Sequence, residues 1–306
     1  MRLLITGGSG MVGRNLRDHP GAGTWQVLAP TRAELDLGDG AALRSWLARH
    51  RPDAVVHAAG LVGGIQANMA EPWRYLAENA RIGLNLITAC REAGVPRLIN
   101  LCSSCAYPRD LGRDLREEQI LTGPLEPTNE GYALAKIMAL RLVEYALREE
   151  PGLGWRTLIP CNLYGPHDKF DPARSHLLPA IVHKIHQAKA QGRDTVEIWG
   201  DGTARREFLY AGDLAEAILR ALADPLVLPP VMNVGPGQDH AINDYYRIAA
   251  EVIGWQGRFT HDLARPVGMQ RKLMSVARQT AWGWAPRTTL REGIAATHAW
   301  YVDHQP

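Results

Sequence analysis

Short β-type runs alternate with longer helical patterns through the first half of the chain. Apolar runs at residues 2–6, 25–29, 54–57, 98–101 and 157–160 are separated by 11–19, 40–50, 72–93 and 130–149, where apolar residues recur at helical spacing. Such alternation predicts a parallel sheet covered on both faces. The handed crossover rule then makes the doubly wound α/β sheet of Rossmann type the leading topology. After about residue 165 the rhythm loosens, with Pro166, Pro172, Pro179, Gly192, Gly200 and Gly202 between helices, and 195–199 and 231–234 as short strands. The expectation is a sheet domain over 1–165 and a smaller, mixed substrate lobe over 166–306. The two are interleaved, and a strand within 195–234 can return to the first domain.

Composition narrows the function classes. The 34 Lys and Arg against 32 Asp and Glu are scattered, giving net charge +2 and no basic block, so nucleic acid is not an expected partner. No stretch approaches the roughly 18 apolar residues of a membrane helix. Cys90, Cys102, Cys105 and Cys161 form no Cys/His ligand array, so no metal is expected and a reducing, cytoplasmic setting fits.

The first strand runs into Gly7-Gly8-Ser9-Gly10-Met11-Val12-Gly13 and then a helix. Gly7, Gly10 and Gly13 (or Gly8, Gly10 and Gly13) suit a tight turn, close approach to a pyrophosphate and helix–strand packing. The helix N-terminus adds free N–H groups at Met11 and Val12 for the phosphates. A ligand-free glycine turn is the bland alternative; the position directly after the first strand favours dinucleotide binding. The second strand ends at Leu28-Ala29-Pro30-Thr31-Arg32, with no acid before Glu34. Arg32 can meet a 2′-phosphate with its planar fork, which favours NADP(H). The alternative leaves Arg32 in solvent and gives the ribose to Glu34.

Tyr132 and Lys136 are one helical turn apart on one face. A nearby ammonium lowers a phenol's pKa and readies it for proton transfer. Alone, this pair suits an exposed helix equally well. Upstream, however, the fourth strand runs into Cys102-Ser103-Ser104-Cys105, and a serine at a central strand's carboxyl end stands where ligands bind in open α/β sheets. Glycine turn, serine and Tyr/Lys in this order predict a redox site.

These motifs resemble the extended short-chain dehydrogenase/reductases. The likeness is closest to the branch that 3,5-epimerises GDP-4-keto-6-deoxy-D-mannose and reduces it at carbon 4 to GDP-L-fucose. It spans nearly the whole chain: Val62-Gly63-Gly64-Ile65 with Asn68, Ser103 to Pro108, Leu125 to Glu130, Asn162 to Asp168, Ser175-His176, Trp199 to Thr203, Arg206 to Leu209, and Asn233 to Gly235. The resemblance implies a reductase triad of Ser103, Tyr132 and Lys136, and two epimerisation acid/base residues, Cys105 and His176. It implies NADP(H) contacts at Arg32, Leu101, Lys136, Asn162, Leu163 and His176 besides Gly7, Gly10, Met11, Val12 and Gly13. It puts Lys184, Trp199, Arg206 and Arg271 near a GDP-sugar, and implies a homodimer through the helices at 72–93 and 130–149. On the residues alone, Cys105 reads equally as a small buried apolar residue and His176 as a packing histidine.

Three positions depart from the pattern. Ser9 replaces an arginine that helps hold the 2′-phosphate, and Val267 and Ser275 replace expected aspartates in the substrate lobe. A related GDP-4-keto dideoxy sugar or heptose is therefore the nearest alternative substrate. A non-reducing epimerase and a non-catalytic nucleotide-binding protein are more distant ones.

Overall fold

The computed structural model describes residues 1–111, 114–171, 175–265 and 269–304. Val267 lies outside them. Six parallel strands form the central sheet: β1 (Arg2–Thr6), β2 (Gln26–Leu28), β3 (Ala54–His57), β4 (Arg97–Leu101), β5 (Gly154–Pro160) and, after an excursion, β10 (Val231–Val234). Their order is β10-β5-β4-β3-β1-β2. β1 therefore has β2 on one side and β3 on the other, and the carboxyl ends of β1 and β3 flank the switch point where such sheets bind ligands.

Both faces are apolar, as parallel sheets require. On one side Leu4, Val55, Leu98 and Trp155 meet α2 (Gly40–His50), α4 (Pro72–Glu92) and α5 (Glu130–Glu149). On the other, Leu3, Ile5, Val56 and Leu158 meet α1 (Met11–Asp18) and α7 (Ala211–Ala223). The short α3 (Ile65–Ala70) precedes α4.

The second core lies in the lobe, between α6 (Leu177–Ala190), α8 (Ile242–Ile253) and α10 (Leu290–His304), with Leu178, Ile185, Tyr245, Ile253 and Tyr301 inside. Small two-stranded pairings edge it. β6 (Asn162–Tyr164) pairs with β9 (Phe208–Tyr210), β8 (Arg205–Arg206) with β11 (His240–Ala241), and β7 (Thr195–Trp199) with β12 (Arg258–Asp262). The chain beyond 165 does not stay in the lobe. α7 packs on α1, β10 completes the sheet beside β5, and α9 (Ala277–Ala281) packs on β10.

Asn233 of β10 joins these returning segments. Its Nδ2 donates to the Leu115 carbonyl at 2.8 Å and the Ser275 carbonyl at 2.9 Å, while its Oδ1 accepts from the Tyr107 hydroxyl at 2.6 Å. All of it is out of solvent. Asn233→Ala leaves the Ser275 carbonyl and the Tyr107 phenol unpaired, each costing about 1–3 kcal/mol, and takes from the Leu115 carbonyl one of its two donors, the other being Ser275 N–H. A loss of roughly 3 kcal/mol or more in urea unfolding is expected; an unchanged midpoint would refute the clamp.

Candidate active site

The glycine turn has the shape its sequence suggested. Gly7 sits at φ +71°, and a Cβ there would lie 2.8 Å from the backbone of Ala59. At Gly13 a Cβ would come within 2.3 Å of the Gly7 carbonyl, so α1 can seat this close only on glycine. The first intrahelical bond runs from Arg14 N to Gly10 O, and Gly10 offers no side-chain cap. The N–H groups of Met11, Val12 and Gly13 therefore precede the ladder and point outward, a cradle that fits a pyrophosphate. Arg32, after β2, is 80% exposed and only loosely paired with Asp36 at 3.9 Å, leaving its guanidinium available. Glu34 instead turns back on Thr31, accepting from its N–H at 2.7 Å and its hydroxyl at 2.9 Å.

The carboxyl end of β4 and the start of α5 face each other. Lys136 is 7% exposed, and its Nζ donates to the Leu101 carbonyl at 3.0 Å while lying 5.8 Å from the Tyr132 ring centre. Burial depresses its pKa. Ser103 lies two residues beyond β4; its hydroxyl accepts from Cys105 N–H at 3.2 Å and bonds Tyr132. Tyr132 differs from expectation: its pKa is raised, first by burial, then by Cys105 and Cys102, against the Ser103 hydrogen bond. Lys136 points its charge at the Leu101 carbonyl rather than at the phenol oxygen, so desolvation wins.

Cys105 lies on the turn Ser104–Ala106, half-buried, with Asn129 Nδ2 donating to its Sγ at 3.3 Å. Asn129 belongs to the turn Pro127–Asn129, which packs on α3. Just before α3, Gly64 approaches the Ser175 carbonyl, 3.5 Å from where a Cβ would stand. His176 follows as the N-cap of α6, and burial, with Lys169 second, holds its pKa below the ordinary imidazole value. Several buried polar atoms of these and the neighbouring segments lack partners: Asn68 Oδ1, Asn129 Oδ1, Ser175 Oγ and Asp168 Oδ2. Buried polar groups are normally satisfied, so the atoms beside Cys105 and His176 are where a polar ligand would find partners.

The remaining assigned residues fall in two groups. Lys184 Nζ and the Arg265 guanidinium lie 5.2 and 5.0 Å from the ring centre of Trp199, which is 40% exposed. This makes a cationic aromatic shelf suited to a nucleotide's base and phosphates. Arg271 is gripped by the buried Asp239 at 2.5 Å, and Arg205 shares that carboxylate at 2.8 Å; half-buried Arg206 donates to the Arg205 carbonyl. Asn162 donates to the Glu207 carbonyl at 2.9 Å, locking β6 to β9 beside Leu163.

Sequence reasoning passed over Arg265, Asn129 and the C-x-x-C spacing of Cys102 and Cys105. Cys102 is buried, with its thiol pushed up to about 11 by burial. His57 stands at the end of β3. It is buried 3.3 Å from Thr6 Oγ1, and burial, then Lys136, push its pKa down to about 3. Its neutral ring contributes fully above pH 6.5. Below that the unfolded chain binds a proton the folded one refuses, and stability falls at about 1.4 kcal/mol per pH unit toward pH 3. His57→Gln should flatten the decline of Tm between pH 6.5 and 4; parallel curves would rule His57 out as its source.

Residues 3–235 match the model of the NAD dependent epimerase/dehydratase family. A GDP-L-fucose synthase from Azorhizobium caulinodans is 51% identical over 98% of this chain and 96% of that protein. A GDP-L-colitose synthase from Yersinia pseudotuberculosis is 44% identical over 100% of this chain and 99% of that one. Among solved structures, a GDP-mannoheptose C4 reductase from Campylobacter jejuni with NADP bound superposes with a TM-score of 0.89 at 27% identity, covering 98% of each chain. A match across the whole central sheet makes this chain a member of the NAD dependent epimerase/dehydratase family.

Proposed function

We propose that the protein converts a GDP-4-keto-6-deoxy-D-mannose-type sugar to GDP-L-fucose by epimerisation at carbons 3 and 5 and NADPH-dependent reduction at carbon 4. The observation that carries this reading is the convergence of a proton-handling cysteine with a Ser/Tyr/Lys set at one strand end. A dehydrogenase needs only the second; an epimerase/reductase needs both. The 51% identity to a GDP-L-fucose synthase and the NADP-bound reductase neighbour support substrate and cofactor. The GDP-L-colitose synthase at 44% keeps a related GDP-4-keto sugar, dideoxy or heptose, as the second reading.

The ketone at carbon 4 acidifies the hydrogens on carbons 3 and 5. Cys105 removes one as base, leaving an enolate, and His176 returns a proton from the other face. NADPH, when bound, supplies the hydride to carbon 4. The glycine turn with Arg32 holds that cofactor, and Leu101, Asn162 and Leu163 border it. Because burial keeps the Tyr132 phenol protonated, it retains the proton until a more basic alkoxide forms at the carbonyl oxygen. Ser103 steadies that oxygen, and Lys136 holds the strand end against α5. Lys184, Trp199, Arg206 and Arg271 serve the GDP moiety.

No helix among the described residues is long and apolar enough to cross a membrane. With all four cysteines free, the cytoplasm is the proposed setting. Exposed Trp73 and Leu84 share one face of α4, and Leu134 and Tyr145 one face of α5. We assign this stripe to a homodimer. Leu134→Glu with Tyr145→Lys should halve the mass seen by light scattering, and a wild type already monomeric would end the assignment.

The chemistry is tested with GDP-4-keto-6-deoxy-D-mannose in deuterated water, with and without NADPH, followed by proton NMR and absorbance at 340 nm. Deuterium should enter carbons 3 and 5 without NADPH, and reduction should require it. Cys105→Ser should slow exchange by at least about 100-fold, the usual scale of a lost acid/base. His176→Asn should keep exchange yet lose inversion. Exchange at the normal rate in Cys105→Ser refutes the assignment.

A further inference from the structure

We propose that Asn129 is the positioning residue for Cys105, aiming its sulfur through Nδ2 and receiving a hydroxyl of the sugar at Oδ1. This rests on the reading of Cys105 as the base.

Asn129 stands at the N-cap of α5, where an asparagine side chain ordinarily accepts from the second or third N–H of the helix. Here it makes no cap. That forgoes a contact typically worth about 1 kcal/mol. Instead Nδ2 reaches across to Cys105 Sγ at 3.3 Å, bridging 24 residues of sequence. The backbone holds the residue ready for this: Asn129 N–H bonds the Glu126 carbonyl at 3.1 Å, and the Glu126 carboxylate takes the Thr128 N–H and hydroxyl.

The other end of the amide is equally telling. Oδ1 is buried and has no partner, a cost of about 1–3 kcal/mol unless a donor arrives. A sugar ring offers hydroxyl donors beside the very carbon whose proton Cys105 removes. One planar group would thus hold base and substrate in a fixed relation. The amide N–H also interacts more strongly with a thiolate than with a thiol. When sulfur takes the proton from carbon, the S–H bond forms, the C–H electron pair moves into the enolate, and the amide loses its charged acceptor. Tyr132 lies three residues further along α5, so the same helix start serves both chemical steps.

The test uses Asn129→Ala and the isosteric Asn129→Asp, which removes the donor and can restore the helix cap. Cys90, Cys102 and Cys161 are buried, so alkylation by iodoacetamide, read by peptide mass spectrometry, follows Cys105 without any substrate. Both variants should move the pH midpoint of Cys105 alkylation upward by about one unit or more, as loss of a charge-assisted hydrogen bond does. Deuterium exchange into the GDP-4-keto sugar should slow at least tenfold at pH 7, with its pH profile displaced the same way. NADPH affinity should stay near wild type and Tm should hold or rise, whereas a merely structural role would lower Tm. Unchanged alkylation midpoints in both variants overturn the proposal while leaving Cys105 its role. Shifted midpoints with undiminished exchange overturn it as well. Retained exchange in Cys105→Ser instead identifies the failure of the catalytic reading, and this proposal falls with it.

Discussion

A buried ammonium must find a partner, and the one Lys136 finds is the last carbonyl of β4. That bond, together with the buried Ala133, Ile137, Leu140 and Val143, sets where α5 lies against the sheet. Tyr132, one turn earlier on the same face, is thereby brought to the Ser103 hydroxyl, and Asn129, at the helix start, to the Cys105 sulfur. The extensive packing of α4 on α5 keeps the helix from rolling, with Gly83 pressed against Ala139. Positions on two distant stretches of sequence become one site because a charge cannot be left dry.

The sheet contributes the other half of the geometry. Opposite departures from β1 open a crevice, and the glycine turn lines it with unpaired N–H groups. Anion binding by such a cradle would be electrostatic and backbone-borne, so it would tolerate a changed side chain such as Ser9. The lobe supplies what the sheet lacks: the Trp199 shelf with its two cations, and the histidine at the start of α6. Interleaving the two parts ties the lobe to the sheet through α7, β10 and α9.

Much of this was legible in the sequence wherever local pattern decides the outcome. The alternation of periods two and 3.6 located all five strands of the first half, although β2 proved shorter than its apolar run. Glycines 7, 10 and 13 announced their turn because few other sequences satisfy its sterics. Long-range features were not legible. Asp239 holds Arg271 and Arg205 from 32 and 34 positions away, and no spacing announces that. The direction of the Tyr132 shift was misread for the same reason: periodicity put Lys136 on its face, but where that side chain points depends on the Leu101 carbonyl. Cys105 and His176 stood out only by family likeness, since a cysteine at a strand end and a histidine at a helix start carry no pattern of their own. The cap that Asn129 declines to make is invisible until its side chain is seen.

The late arrival of β10 bears on how the chain comes to be built. β5 has its outer edge covered only when residues 231–234 dock, and α1 gains α7 from the same return. During synthesis, then, the sheet waits with an open edge while some seventy further residues emerge. An open edge of β-branched and apolar residues is what invites pairing with a neighbouring chain. The lobe cannot close before β10 either, since its core needs α8 and α10, and β7 and β8 need β12 and β11, all of which emerge after residue 234. The interleaving that ties lobe to sheet in the finished enzyme therefore also sets the period of greatest exposure in its biogenesis.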